Sequence, residues 1–350
     1  MLLTGASGFF GAFLLRELLT QNPGTVHCLV RAGSTEQALQ KLHANLERYA
    51  LSAEILARDR IRVVVGDLAR PRLALEDDEY ERLADEIDLI IHNGAHVDAL
   101  HSYETVKAVN VNGTRELLWL AATTWRKPLR FVSTVAAARF RPATSDDASG
   151  YVESKWRAEQ VVAEARAHGI PAAVYRVPRL SGDSRTGRSN DRDIMLRMVR
   201  WILDLETAPD IEISEDWIPV DEAARLLAGP SPGSEHGGSF VLTAQRPVCL
   251  TAIIDLARQI GHDIECKPTQ EWLRDLASRS DEEHEMLAAA LRIASADGKF
   301  GAQVRAPHDA PHDGFVPIVA HGVTEEILHQ YLYRASQVHR IDWRGENMHT

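Results

Sequence analysis

Cysteine is scarce in this chain. Cys28, Cys249 and Cys266 are spread over 350 residues. An odd number so widely spaced offers no disulfide framework and fits a reducing compartment, the cytoplasm. Basic residues are outnumbered, 39 Lys and Arg against 50 Asp and Glu, for a net charge of −11. A nucleic-acid binder needs a basic face to meet phosphates, so that class is set aside. A local basic pocket for a small phosphorylated ligand stays open. No apolar run is long enough to span a bilayer, and the first residues do not read as a secretory signal. Internal repeats and low-complexity tracts are also lacking. What remains, 45% hydrophobic and 25% charged, describes a soluble globular protein of one large domain with a lobe, or of two domains.

The first half alternates two patterns. Apolar runs "LLT", "VHCLV", "IRVVVGD", "DLIIHNGA", "LRFVST" and "AAVYRV" are separated by amphipathic stretches such as "AFLLRELLTQ" and "ESKWRAEQVVAEARAHG". Strands that are apolar throughout and divided by helices imply a parallel sheet covered on both faces. The expected fold is therefore α/β, a doubly wound Rossmann sheet whose ligand lies at the carboxyl ends of the strands. The alternation fails after Pro178. We expect a dinucleotide-binding domain over 1–178 and a mostly helical substrate-binding lobe over 179–350, with 215–245 returning to the sheet. The first run is short for a central strand, which suggests missing upstream residues or a piece of a longer polypeptide.

"TGASGFFG" follows the first strand and opens a helix, with Gly5, Gly8 and Gly11 spaced G-x-x-G-x-x-G. A dinucleotide needs a tight turn, close approach of the backbone to its pyrophosphate and free N–H groups at a helix start. Thr4, Gly5, Ser7, Gly8, Phe9 and Gly11 are the candidates for this contact. A glycine-rich turn without a ligand is the plainer alternative. The second strand ends in "CLVRAGS", where a carboxylate would hold a ribose 2′-hydroxyl and an arginine accommodates a 2′-phosphate. Arg31 stands there with no acid beside it, and Lys41 on the next helix can fold back to the same place. The expected cofactor is NADP(H). Asp67 and Leu68 of "GDL" end the third strand, where Asp67 either meets adenine or caps a loop. Asn93, Gly94 and Ala95 of "HNGA" end the fourth, small enough for the backbone to pass close to the ribose.

The fifth strand ends in "FVSTVAA", which brings Ser133 and Thr134 to the ligand side. "GYVESKW" then places Tyr151 and Lys155 one turn apart on a helix. A phenol is a poor acid–base group unless assisted, and an ammonium beside it favours the phenolate. The threonine hydroxyl would donate to a reacting carbonyl oxygen. Lys155 has the reach to bind a nicotinamide ribose, and Asn110, inside a helix, could anchor a water on the proton path. The set predicts proton transfer to an oxygen while hydride reaches the adjacent carbon, with Thr134, Tyr151 and Lys155 as the catalytic residues.

These residues resemble the extended short-chain dehydrogenase/reductases. Within them the chain is most similar to thioester reductase domains, which terminate nonribosomal peptide and polyketide assembly lines and form the reductase part of carboxylic acid and aminoadipate reductases. "LVRAGSTEQALQKL", "HNGAHVDALHSYETVKAVNVNGT", "GYVESKWRAEQVVAEA", "YRVPRLSGDSRTG" and "PVDEAARLL" carry the resemblance over the first two-thirds of the chain. It implies NADPH, and an acyl group tethered through phosphopantetheine to a carrier protein. It also implies hydride attack on the thioester carbonyl, with release of an aldehyde or, after a second reduction, an alcohol. By the same match Thr134 and Tyr151 stabilise the oxyanion, Arg31 and Lys41 hold the 2′-phosphate, and Lys155 holds the nicotinamide ribose.

Two departures bear on substrate choice. Arg176, Val177 and Pro178 stand where the family reads R-P-G, and the loop between Thr134 and Tyr151 is short. A fatty acyl-CoA reductase would use the same catalytic set and stays open. A nucleotide-sugar epimerase would use NAD, against Arg31 and Lys41; a redox-sensing binding protein would lack the tyrosine. Arg126, Lys127 and Arg130 are either a docking patch for an acidic carrier or a solvated helix end. His308 and His312, split by a proline and lacking a third ligand, read as loop, not metal site.

Overall fold

The six apolar runs become six strands: β1 (Leu2–Thr4), β2 (Val26–Val30), β3 (Ile61–Val65), β4 (Ile90–His92), β5 (Leu129–Thr134) and β6 (Ala172–Val177). In the computed structural model, which describes residues 1–51, 55, 59–97, 101–140, 149–230, 237–278 and 314–342, two later strands join them. These are β7 (Gly238–Ala244) and β8 (Val316–Ala320), and the eight-stranded sheet runs β8-β7-β6-β5-β4-β1-β2-β3. The pairs from β3 across to β7 are parallel. All of β1 and β2 is buried, as strands covered on both faces require.

The described residues fall into two compact units. One lies within Met1–Leu180, Val220–Thr243 and Pro311–Ala320, the other within Ser181–Pro219, Ala244–Ala310 and His321–Thr350. Strand β8, expected in the lobe, belongs to the sheet of the first unit. The helices of that unit are α1 (Phe9–Gln21), α2 (Thr35–Arg48), α3 (Asp77–Glu86), α4 (Tyr103–Lys107), α5 (Gly113–Ala122), α6 (Gly150–Ala167) and α7 (Val220–Ala228).

One face of the sheet packs Leu2, Ile90, Phe131 and Val174 against Leu117 and Leu120 of α5, Ala158 and Val162 of α6, and Tyr80 and Leu83 of α3. Each fully buried Leu here contributes about 2 kcal/mol. Alternation along β1 turns Leu3 the other way. Helix α1 packs against α7, with Gln21 Nε2 donating to the Arg225 carbonyl at 3.1 Å. Ser34 caps α2 by accepting the Gln37 N–H at 3.2 Å, as a hydroxyl at that position does.

The second unit has its own core. Helices Ile194–Leu205, Leu250–Gln259, Thr269–Ala277 and Glu325–Asp342 gather around Met198, Ile202, Trp217, Ile253, Trp272 and Leu332. No helix among the described residues is long and apolar enough to cross a membrane.

Strand order reverses at β1, which lies between β2 and β4. The crevice at such a switch point, beyond the carboxyl ends of the strands, is where doubly wound sheets hold ligands. In register, Thr4 pairs with His92 and Ser133 with Arg176. Both pairs lie at or next to the carboxyl ends of their strands.

Candidate active site

The turn after β1 is built by close approach. Gly5 has φ +73°, and a Cβ on it would lie 2.8 Å from the Gly94 nitrogen. A Cβ on Gly11 would overlap the Gly5 carbonyl oxygen at 1.9 Å. The Gly8 N–H donates to that same oxygen at 3.0 Å, closing the turn. Asn45 of α2, which sequence reasoning missed, clamps the turn from outside: its Nδ2 donates to the carbonyls of Ala6 (3.2 Å) and Gly8 (3.0 Å). It stands one turn after Lys41, and that spacing was the available signal. Gly8 begins α1 with no side-chain cap, and the first turn holds no acid. Ser7 and Gly8 are exposed. An uncapped, accessible helix N-terminus suits an anion such as a pyrophosphate. Phe9 instead turns to the protein, 5.7 Å from the Phe13 ring and 5.2 Å from Tyr49.

At the end of β2, Lys41 folds back as expected, its Nζ donating to the Arg31 carbonyl at 2.8 Å. Both side chains are exposed. Asp67 takes the loop-capping role: its Oδ1 accepts the Ala69 N–H at 2.9 Å. Leu68 fills the space left by two glycines, since a Cβ on Gly94 would lie 2.8 Å from its Cδ1 and one on Gly113 2.9 Å from its carbonyl oxygen. Asn93 Nδ2 reaches the Gly5 carbonyl at 3.4 Å, and Ala95 beside it is half-buried.

Thr4 departs from the expected ligand contact. Fully buried, its Oγ1 accepts the Gly94 N–H at 2.8 Å and lies 2.9 Å from His92 Nδ1, so its side chain shapes the turn and is unavailable to a ligand. His92 Nε2 lies 3.0 Å from Thr114 Oγ1, whose proton goes to the Asn110 carbonyl at 2.7 Å. Thr114 has only one proton to give, so it accepts from Nε2–H, and Nδ1 accepts from Thr4. Every donor then points one way, from Gly94 to Asn110, and His92 is neutral. Burial, with Lys155 adding to it, pushes its pKa down to about 3.

Asn110 lies in a π turn, Ala108–Asn112, between α4 and α5. Such turns often mark functional positions. Its side chain anchors protein, which corrects the expected water contact. Oδ1 accepts the His96 N–H at 2.7 Å, while Nδ2 donates to the His96 carbonyl (3.0 Å) and to Ser154 Oγ (2.8 Å). Ser154 Oγ donates in turn to the Tyr151 carbonyl at 2.7 Å. Asn110 therefore ties the loop after β4 to the first turn of α6.

Helix α6 carries Tyr151, Lys155 and Glu159 one turn apart. The Lys155 ammonium donates to the Val132 carbonyl at 2.5 Å and sits 4.3 Å from the centre of the Phe131 ring. Burial pulls its pKa down to about 7, and Glu159 works against that fall. The Tyr151 phenol goes the other way from the expectation. Burial pushes it up to about 12, so it stays protonated and is a donor. Thr134 caps the turn Val135–Arg139 by accepting the Ala136 N–H at 3.3 Å. That use of its oxygen leaves the hydroxyl proton to donate.

Ser133 does not face a ligand, because its hydroxyl donates to Glu159 Oε1 at 2.5 Å. Arg176 grips the same carboxylate with both arms, Nε to Oε1 at 3.0 Å and Nη2 to Oε2 at 2.7 Å. Its guanidinium lies 3.7 Å from the centre of the Phe315 ring. The basic cluster at 126–130 is also engaged by backbone carbonyls. Lys127 is fully buried and caps the Thr123 carbonyl at 2.6 Å. Arg130 Nη1 donates to the Leu227, Ala228 and Gly229 carbonyls at the end of α7, and Arg126 Nη1 to that of Gly169 at 3.3 Å. Lys127 and Arg130 thus cap helix ends and form no docking patch. His308, His312 and residues 141–148 of the loop before Tyr151 lie outside the described residues.

Comparison with known proteins places this geometry. The family model of an NAD-binding domain, described as male sterility protein, matches residues 3–227. A linear gramicidin synthase polypeptide of Brevibacillus parabrevis is 39% identical over 288 residues, which are 78% of this chain and 6% of that protein. Isonitrile lipopeptide synthase of Streptomyces coeruleorubidus is 36% identical over 80% of this chain and 20% of its own length. The chain thus spans a small part of these curated relatives. Among solved structures, the terminal R domain from the myxalamid PKS-NRPS biosynthetic pathway superposes with a TM-score of 0.83 at 33% identity, covering 99% of this chain and 92% of that one. With the glycine turn, the switch-point crevice and a family model matching well over half of its length, the chain belongs to the NAD-binding family described as male sterility protein, alongside terminal reductase domains of peptide and polyketide assembly lines.

Proposed function

We propose that this protein reduces an acyl or peptidyl thioester with NADPH, releasing an aldehyde, the acyl group arriving on the phosphopantetheine arm of a carrier protein. The observation that carries the reading is the top of α6. A protonated phenol, Tyr151, stands one turn from an ammonium, Lys155, that is fastened to β5 two residues before Thr134. The relatives, named as synthases and a terminal R domain, support the substrate class.

Residues of this chain suit the cofactor. The open N-terminus of α1 would take the pyrophosphate. Arg31 and Lys41 would share the 2′-phosphate, favouring NADPH over NADH, and Lys155 would hold the nicotinamide ribose. When bound, NADPH supplies a hydride for the carbonyl carbon. Tyr151 and Thr134, both half-buried, donate to the carbonyl oxygen as it gains charge, as preorganised donors do. Thioester, NADPH and a proton become aldehyde, thiol and NADP⁺; a second round gives the alcohol. The second unit would carry the substrate-binding surface, and the setting would be the cytoplasm. No metal enters the scheme.

The test is NADPH consumption by purified protein given an acyl-pantetheine thioester or an acyl-loaded carrier protein. Turnover with either, accompanied by aldehyde or alcohol, supports the reading. Turnover with acyl-CoA alone would replace it with the acyl-CoA reductase alternative.

A further inference from the structure

Behind Lys155 lies a buried ion pair that the reaction as outlined does not use. We propose that Glu159 and Arg176 are a positioning pair: together they lock α6 to strands β5 and β6 and set how firmly the Lys155 ammonium keeps its proton. The inference rests on the reading of Lys155 as a site residue.

The geometry is continuous. Adjacent residues of β5 engage successive turns of α6. Val132 gives its carbonyl to Lys155, and Ser133 gives its hydroxyl proton to Glu159. Ser133 and Arg176 are register partners on neighbouring strands, which explains how both reach one carboxylate. The Glu159 side chain is 5% exposed and that of Arg176 12%, so the pair is shielded from solvent and little screened. A bidentate guanidinium–carboxylate pair fixes orientation as well as charge. Removing either member leaves the other uncompensated in a dry place. The two members then act on Lys155 with opposite sign. Glu159 favours its ammonium, as a carboxylate near an amine does, and Arg176 blunts that help.

Among the described residues, the charged or titratable groups around Lys155 are few. Its own helix supplies Tyr151 and Glu159, β4 supplies His92, and Arg176 of β6 stands behind Glu159, holding its carboxylate. His92 is neutral over the working range and Tyr151 is protonated, which leaves Glu159 and Arg176 to set the field.

The test reads Lys155 directly in protein labelled with [ε-13C]lysine, its resonance identified by loss in Lys155→Met. Glu159→Gln should lower the pH at which Lys155 gives up its proton by about one pH unit. Arg176→Met should raise it by a similar amount, and Arg176→Lys, which keeps the charge, should leave it near the wild-type position. In turnover assays the alkaline limb of kcat should move in the same two directions. A merely structural pair would not produce opposite shifts. A Glu159→Gln midpoint equal to wild type overturns the proposal, even if Arg176→Met fails to fold. So does a shift of both variants in one direction. The resonance needs no substrate, so absent turnover would count against the thioester reading alone, while an unmoved midpoint counts against this pair alone.

Discussion

The Lys41 ammonium donates to the carbonyl oxygen of Arg31 over 2.8 Å, so two cations stand together at the carboxyl end of β2. Among the described residues no carboxylate holds either of them there, which leaves both for a phosphate. We expect Arg31→Ala and Lys41→Ala each to weaken NADPH binding about 10- to 100-fold, the range of one charge-assisted contact, with NADH affinity little changed. Titration calorimetry with both nucleotides checks this. Equal losses for the two would remove the phosphate clamp from the account.

Tyr151→Phe deletes one hydroxyl and keeps the ring. Turnover should fall by about 10²- to 10⁴-fold, the usual contribution of a positioned acid, while the NADPH dissociation constant stays within error. Steady-state kinetics and fluorescence titration separate the two. Wild-type turnover in this variant would mean that another group supplies the proton.

Gly11→Ala tests the turn itself. The added methyl would sit 1.9 Å from the Gly5 carbonyl oxygen, and backbone cannot yield as a side-chain end can. The variant should lose about 3 kcal/mol or more of stability and bind NADPH poorly. Thermal melts with and without the nucleotide would show both effects.

His92 gives a pH prediction. Its folded pKa, about 3, lies below the unfolded 6.5. Its contribution is therefore fully present above pH 6.5 and is lost as pH falls towards 3, because the unfolded chain then binds the extra proton. About 2 kcal/mol should be gone by pH 5. Urea midpoints measured from pH 7 to pH 4.5 should fall less steeply for His92→Gln. Parallel curves for the two proteins would show that His92 is not held neutral.

Much of this was legible in the residues because local rules and the fold agree. The six apolar runs form strands since the sheet buries their apolar side chains, fully in β1 and β2 and in part at the edge strand β3, and "TGASGFFG" forms its turn since the methyl of any alanine at Gly11 would collide with backbone. Lys41 turns back to Arg31 because one face of α2 looks at the end of β2. The misses have a common cause, namely that a polar side chain does not announce its partner. Ser133 and Thr134 are neighbours of similar chemistry, yet strand alternation sends Ser133 to Glu159 and leaves Thr134 at the mouth. Asn110 looks like a water anchor until His96 and Ser154 are placed around it. Tyr151 looks like a phenolate beside an ammonium until burial is counted. Arg72, Leu73 and Ala74 adopt φ of 50°, 61° and 59°, which costs residues other than glycine about 1 kcal/mol or more apiece. No propensity would suggest it, and contacts such as the Arg72 N–H to Glu116 at 2.7 Å hold it.

The late strand β8 carries a consequence for how the molecule comes into being. It is the outermost strand, paired with β7, and Phe315 just before it covers the Arg176 guanidinium. While the polypeptide is still being made, β7 must wait with an unpaired edge until the long stretch between Ala244 and Val316 has followed it from the ribosome. Over that interval the newborn protein exposes a row of backbone donors and acceptors that other chains can join. Premature termination between Ala244 and Phe315 would make that exposure permanent.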